Sequence, residues 1–442
     1  MGDKSVSHSV LLYTPSVTGR RLKVAFISEP WDTVDPPPAN WSGPILTYEI
    51  AKLLARSCDV IVYSHKLSHL PKTKTFESVE YRYIPLFNDR RGAYRLTHLP
   101  LISSAIDTFK KKAYPDIHRP SYAADFAFWT YVLSISEDLR SRKCDVIHIH
   151  QFSQFVPIIR WLNPQAKIVL HMHTDWLNQF DPKWIEPRLN KCDLILGCSN
   201  FIAKNIRKRF PDLASRCDFL HNGADIEHFS GGSTPDGNGK RLLFVGRLSP
   251  EKGVHILLDA FHKVLQKHPE TELLLAGPWR SASKRFIDFS DDPLVTALGP
   301  FFEMDYLSHL KSKVTGDATD RVHFLGPVEH RGLIDLYRSA DALVVSSVWN
   351  EPFGMPVVEA MASECAVVAT RAGGIVEIIE HEKSGLLVDR GNADTLADAL
   401  IRILDDSKFR ADLVRAGRER AVECFSWDKI VNDLLQKYST LL

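Results

Sequence analysis

Asp341-Ala-Leu-Val-Val-Ser346, followed closely by Glu351-Pro-Phe-Gly-Met-Pro-Val-Val-Glu359, decides how this chain is read. The first stretch is apolar and β-branched, the signature of a buried strand, and Pro356 in the second suits the first position of a helix. The pair therefore spans a strand-to-helix turn, with Glu351 in the loop and Glu359 in the first helical turn. A helix start offers unpaired N–H groups and partial positive charge, both attractive to phosphate, and Gly354 lets the backbone approach a ligand. Two carboxylates around such a turn suit a phosphate-linked sugar. They equally suit an ordinary helix start after a Pro-Phe-Gly turn, and these residues alone leave both readings open.

Arg241-Leu-Leu-Phe-Val-Gly246-Arg247-Leu-Ser-Pro-Glu-Lys252-Gly253-Val-His-Ile-Leu-Leu repeats the strand, loop and helix pattern. Ser249 is the expected N-cap and Pro250 the first helical residue. Arg247 can bind phosphate oxygens bidentately and Lys252 can act as a mobile point charge, a combination matched to a diphosphate. The alternative is a solvated surface pair.

Strand-like runs alternate with helix-length segments along the whole chain: 22–28, 59–64, 145–149, 167–171 and 193–197, then 241–246, 271–276, 321–325, 341–346 and 366–370. Such alternation predicts an α/β protein of parallel, doubly wound sheets with helices on both faces. Ser230-Gly-Gly-Ser-Thr-Pro-Asp-Gly-Asn-Gly239 is its most glycine-rich stretch and marks a boundary. The expected division is 1–229, a linker at 230–240, and 241–426. Ligands of such sheets bind beyond the carboxyl ends of the strands, so two facing lobes predict a cleft there.

The 442 residues, 44% hydrophobic with a formal net charge of +1, are enough for two or three well-filled domains. Near-neutral charge argues against general nucleic-acid binding. Seven cysteines without C-x-x-C spacing suit a reducing compartment. No stretch approaches the roughly 18 consecutive apolar residues of a membrane span, Val10-Leu-Leu-Tyr13 is too short for a signal-peptide core, and Val6 breaks the myristoylation pattern. A cytoplasmic address is expected by default. Monomer and homodimer stay open.

The chain resembles the retaining GT-B glycosyltransferases of the family-4 type, which move sugars from nucleotide donors. The resemblance lies in Gly246-Arg247 through Lys252-Gly253, the Glu351-x7-Glu359 element, Asn222-Gly-Ala-Asp225, and Gly373-Gly374 with Glu377. Weaker matches are Ser42-Gly43, Asp145-Val-Ile-His148-Ile-His150 and His171-Met-His173. It implies a GT-B fold, two facing Rossmann-like domains with an interdomain cleft, the nucleotide on the C-terminal lobe and the acceptor on the N-terminal one. It also implies that a final helix, about 427–442, returns to the first lobe. No metal or other cofactor is implied beyond the nucleotide sugar, expected to be of the UDP-glucose or UDP-GlcNAc type, and the hydroxyl acceptor is not encoded.

By this reading Arg247, Lys252 and the helix start after Pro356 carry charge on the departing phosphate. Glu351 and the N–H groups of Phe353, Gly354 and Met355 grip sugar hydroxyls, and Glu359 accepts from the ribose. The base lies near the main chain of Val328, and Gly43 and Gly246 contact the donor. The implied mechanism is front-face: the incoming hydroxyl bonds to the departing phosphate, and Glu351 orients without being alkylated. His173, at the carboxyl end of its strand, is the N-terminal candidate for acting near the anomeric carbon; the alternative is a structural hydrogen bond.

Several other features compete. His148, His150, His171 and His173 alternate along strands and could meet at zinc or nickel, but no carboxylate or cysteine stands at metal spacing among them, and no metal is expected. Asp288-Phe-Ser-Asp291-Asp292 reads as a loop cap. Residues 77–120, with Arg90, Arg91, Arg95, His98 and Lys110 to Lys112 among apolar residues, and the basic run at 203–209, could dock an anionic membrane or acceptor, or form a solvated basic face. Trp31, Trp41 and Pro36 to Pro38 could stack on an acceptor or stiffen their loop. Residues 277–319 form an insertion expected beside the cleft. A nucleotide-sugar epimerase on the same fold and a catalytically silent nucleotide-sugar-binding protein are the rival functions. A pyridoxal-phosphate phosphorylase would need a lysine that does not stand out.

Overall fold

The computed structural model describes residues 16–17, 20–38, 42–86, 121–125, 127–230, 240–280 and 284–442. Trp41, most of the linker at 231–239 and the basic stretch at 87–120 lie outside the described residues. Every strand-like run named above forms a strand, with small shifts at its ends. They sort into two sheets. The first runs Thr73–Phe76, Val79–Ile84, Cys58–His65, Arg20–Ile27, Val146–His150, Lys167–Met172, Leu194–Gly197, Cys217–Phe219. It is parallel except for the Thr73–Phe76 hairpin partner and the short Ser16–Val17 strand beside Arg20–Ile27. The second runs Val322–Gly326, Glu272–Ala276, Arg241–Val245, Ala342–Val345, Ala366–Thr370, Leu386–Val388, all parallel.

Chain order reverses between Arg20–Ile27 and Val146–His150 in the first sheet, and between Arg241–Val245 and Ala342–Val345 in the second. Loops leaving two adjacent parallel strands at such a point turn to opposite faces and open a crevice between them. The second reversal is what brings the Gly246–Gly253 loop beside the Ser346–Gly354 loop, although about a hundred residues separate them in the chain.

The last helix, Trp427–Leu441, buries Trp427, Ile430, Val431, Leu434, Leu435 and Tyr438 in one cluster with Leu22, Val24, Phe26, Val60, Val146 and Val169 of the first sheet. Spacings of three and four residues put these side chains on one stripe of the helix. The chain crosses back where the Ala224 N–H donates to the Phe425 carbonyl at 2.8 Å. Glu377 forms a second tie between the lobes. Its carboxylate accepts from the N–H groups of Asn200 (2.8 Å) and Phe201 (2.6 Å), at the start of the helix Asn200–Arg209, and lies 3.0 Å from His221 Nε2. Burial opposes its charge, but these donors and the helix start outweigh that and hold its pKa below the ordinary value.

Two expected helix starts are corrected. Pro250–Lys252 is a single 3-10 turn, and the helix proper is Val254–Lys267. Gly253 separates them at φ +67°, and a Cβ there would stand 2.1 Å from the Ser346 carbonyl oxygen. Close approach to the neighbouring strand end thus breaks the helix. Ser249 does not cap by its side chain; its hydroxyl donates to Glu251 instead. The other helix is Met355–Ala362, so Pro356 is its second residue and Glu359 falls past the first turn.

Leu434, fully buried between the last helix and the first sheet, is the clearest measure of how much that helix contributes. Leu434→Ala is expected to cost about 3 kcal/mol in urea unfolding of the full chain; a loss below about 1 kcal/mol would show that the helix is not part of the lobe's core.

Candidate active site

At the reversal point of the second sheet, Lys252 Nζ donates to both carboxylate oxygens of Glu351, at 2.7 and 2.9 Å. The Ser346 hydroxyl donates to the Lys252 carbonyl at 2.9 Å, so the two strand ends are stitched through backbone and side chain. Glu351 also accepts from the Ser347 hydroxyl and from Trp349 Nε1. Burial pushes its pKa up, yet the Lys252 ammonium and these donors outweigh burial and keep the carboxyl below its ordinary range. It is a buried carboxylate held charged. Arg247 meets Glu251 at 2.9 Å, and the Ser249 hydroxyl reaches the same oxygen at 2.7 Å. Neither cation of the loop is a solvated surface pair.

The main chain around Glu351 is equally constrained. The Gly374 N–H donates to the Glu351 carbonyl at 2.7 Å, and the Gly373 N–H to Asn350 Oδ1 at 3.1 Å. Phe353 buries its ring against Phe425 and His221, so its side chain is committed to packing. Gly354 sits at φ +123°, a conformation open to glycine, and leads into the helix. Glu359 is almost fully buried and accepts from the Tyr337 hydroxyl at 2.8 Å; its other oxygen lies 2.9 Å from His330 Nε2. Burial lowers the His330 pKa, but the Glu359 carboxylate more than compensates and the net shift is upward.

Between the lobes lies a cavity of about 210 Å³ whose lining includes Ser42 and Ile45 from the first lobe, Asn222, and Val328, Met355 and Glu359 from the second. Gly43 is the second residue of the helix Ser42–Leu54, beside that cavity, and Gly246 ends its strand where the Arg247 loop begins. An adjoining cavity of about 170 Å³ adds Tyr48, Glu49, Asp225 and Arg331. Burial raises the Glu49 pKa to about 7.

In the first lobe, His173 follows the strand Lys167–Met172. Its N–H donates to Gln151 Oε1 at 2.7 Å, and its Nε2 lies 2.8 Å from His150 Nδ1. Burial pushes its pKa down to about 4. Trp31 is 41% exposed and packs edge-on against Tyr122, Phe128, Phe152 and Trp176, so it belongs to an aromatic wall as well as to its loop. The insertion places Ile287, Val295 and Leu298 around Val348 and Trp349, the residue whose indole N–H donates to Glu351. Asp292 caps the short helix Pro293–Thr296 and pairs with Arg390 at 2.7 Å.

Some of these groups had no signal in the sequence reading. Glu251 could have been found from its i,i+4 spacing to Arg247. Ser347 and Trp349 flank Glu351 in the chain without any motif. His330 and Tyr337 reach Glu359 only through the fold.

Two facing doubly wound lobes, with a charged donor loop and a two-carboxylate turn at one reversal point, define the class of GT-B glycosyltransferases. The family model for glycosyl transferases group 1 matches residues 225–420, and that for Glycosyltransferase Family 4 matches residues 45–228. The chain is 27% identical over 330 residues to the putative glycosyltransferase YtcC of Bacillus subtilis, covering 71% of this chain and 76% of that one. It is 28% identical over 305 residues to the phosphatidyl-myo-inositol mannosyltransferase of Mycolicibacterium smegmatis, covering 67% and 71%. Among solved structures, Anabaena HepE in complex with UDP and glucose superposes with a TM-score of 0.66 at 19% identity, covering 95% of this chain and all of that one. The chain belongs to the family-4 glycosyltransferases, and it is an enzyme that uses a nucleotide-sugar donor. Among the described residues no helix is long and apolar enough to cross a membrane.

Removing one partner of a buried ion pair leaves the other uncompensated. Lys252→Ala is therefore expected to destabilise the chain by about 3 kcal/mol at neutral pH, and Lys252→Ala with Glu351→Gln by clearly less. The wild-type carboxyl titrates below its unfolded value, whereas without Lys252 burial is opposed only by the Ser347 and Trp349 donors and the carboxyl titrates higher. The stability gap between wild type and Lys252→Ala should then shrink as pH falls towards 4. Denaturant curves showing a pH-independent gap, or additive single and double variants, would mean the two groups do not interact.

Proposed function

We propose that the enzyme transfers a hexosyl group with retention from a nucleotide sugar of the UDP-glucose or UDP-GlcNAc type to a hydroxyl acceptor, by a front-face route whose charge stabilisation comes from protein groups alone. The reading rests chiefly on one observation: Lys252, with three N–H donors, spends two on Glu351, which leaves a third that a phosphate would take. Breaking the anomeric C–O bond puts negative charge on the departing diphosphate, and Lys252, Arg247 and the helix start at Met355 are the groups available to carry it. Glu351 and the N–H groups of Phe353, Gly354 and Met355 hold the sugar hydroxyls. Glu359 accepts from the ribose, in exchange for its contacts with His330 or Tyr337. Val328 lines the base pocket by its main chain, with Gly43 and Gly246 leaving room for the donor. The acceptor hydroxyl bonds to the anomeric carbon and its proton passes to the departing phosphate oxygen, so atoms and charge balance without a glycosyl-enzyme adduct. His173, neutral at physiological pH by its lowered pKa, faces the sugar as a hydrogen-bonding imidazole. HepE, whose fold this chain shares, was crystallised with UDP and glucose, which favours that donor class.

Arg247→Ala is expected to lower kcat/KM for sugar transfer by about a hundred- to a thousand-fold, the size of one lost transition-state donor. A thermal-shift panel of UDP, GDP and ADP should show UDP stabilising most. GDP preference would move the donor to the mannosyl class, conversion of donor without acceptor would point to an epimerase, and binding without any turnover to a silent binder. Wild-type transfer rates in Arg247→Ala, or a mass-spectrometric glycosyl adduct on Glu351 during turnover, would overturn the mechanism.

A further inference from the structure

His148 and His150 stand two residues apart on the strand Val146–His150 and so share a face; His171, on the adjacent parallel strand, is paired in register with His150. All three imidazoles are essentially inaccessible to solvent, beneath the last helix, whose Tyr438 shares their core. Three of their ring nitrogens have no hydrogen-bond partner, Nε2 of His148, Nε2 of His150 and one nitrogen of His171, whose other nitrogen has the Leu220 carbonyl beside it. An orphaned buried polar atom costs about 1–3 kcal/mol, and one on each of three neighbouring rings demands a common explanation.

The partnered nitrogens show what that explanation is. His148 Nδ1 lies 2.7 Å from the Tyr438 hydroxyl, and His150 Nδ1 lies 2.8 Å from His173 Nε2. His148 and His150 are thereby each held by one nitrogen with the other left open, and His171 has the Leu220 carbonyl beside it, the arrangement by which an outer partner fixes the orientation of a metal-bound imidazole. One nitrogen from each of the three rings lies within 4.8 Å of the other two. Three imidazoles bound at about 2 Å to one ion have ring centroids about 5–5.5 Å apart; the observed separations are 5.0, 5.2 and 5.8 Å. Side-chain torsions need only draw the nitrogens together.

We propose that His148, His150 and His171 form a buried three-imidazole site for one zinc(II) or copper(I) ion, which joins two central strands of the first lobe under the last helix. The sequence reading set such a site aside because no carboxylate or cysteine completes it; the fold supplies instead three convergent imidazoles, with Tyr438 and His173 as outer partners. The ion is structural and takes no part in sugar transfer.

The full-length protein, stripped with a chelator, is titrated with zinc sulfate and, under reducing conditions, with copper(I), each in competition with a chromophoric chelator. One ion per chain is expected, retained through gel filtration and accompanied by a rise in Tm. Tyr438→Phe, which keeps the core packing, should weaken binding about 10- to 100-fold, and His171→Gln should abolish it. Failure of the wild type to bind either ion stoichiometrically, or equal binding by wild type and Tyr438→Phe, overturns the site. The readout is metal content, so it is independent of whether the donor and mechanism proposed above are correct.

Discussion

The ion pair between Lys252 and Glu351 organises the second lobe of this enzyme. A buried carboxylate is tolerated only with its charge matched and its lone pairs occupied, and Glu351 has an ammonium, a hydroxyl and an indole N–H around it. Each of those donors constrains its own segment. Lys252 fixes the loop after Arg241–Val245, and Trp349 anchors the insertion that packs on it. The result is a pre-ordered polar cluster, whose donors are fixed in place by their own partners.

The position of that pair follows from topology. Parallel strands send their loops out at one end, and the reversal of strand order leaves two loops facing each other there. The first lobe uses the same rule, delivering the Glu29–Trp31 segment, Gln151 and His173 to its own carboxyl edge. The two edges are kept face to face by the last helix, which shares the first lobe's core, and by Glu377, which caps a helix of the opposite lobe. Both ties use groups that must find partners when buried: an apolar stripe in one case, a carboxylate and free helix N–H groups in the other.

The strands were legible because apolar β-branched runs between glycine- and proline-rich loops allow few other conformations. Most of the strands absent from the sequence reading are short or at an edge, but Val79–Ile84, six residues with alternate positions buried and paired on both sides, is absent too, because its segment reads as part of a basic region. Thr73–Phe76 alternates between exposed and half-buried positions, and Cys217–Phe219 is too short to show a period. The helix start at Pro250 was misplaced because Ser-Pro-Glu is a good local N-terminus, while the break at Gly253 is imposed by Ser346, just past the end of the strand Ala342–Val345.

The amino-acid sequence alone thus determined the layered α/β architecture and the identity of the two charged loops, since strand pattern, turn residues and the spacing of Arg247, Lys252, Glu351 and Glu359 are local properties. Only the tertiary structure decided which charge meets which. Lys252 finding Glu351, His330 and Tyr337 finding Glu359, and three histidines converging beneath Tyr438 all depend on strand order, because contact between groups distant in the chain is set by which strands lie side by side.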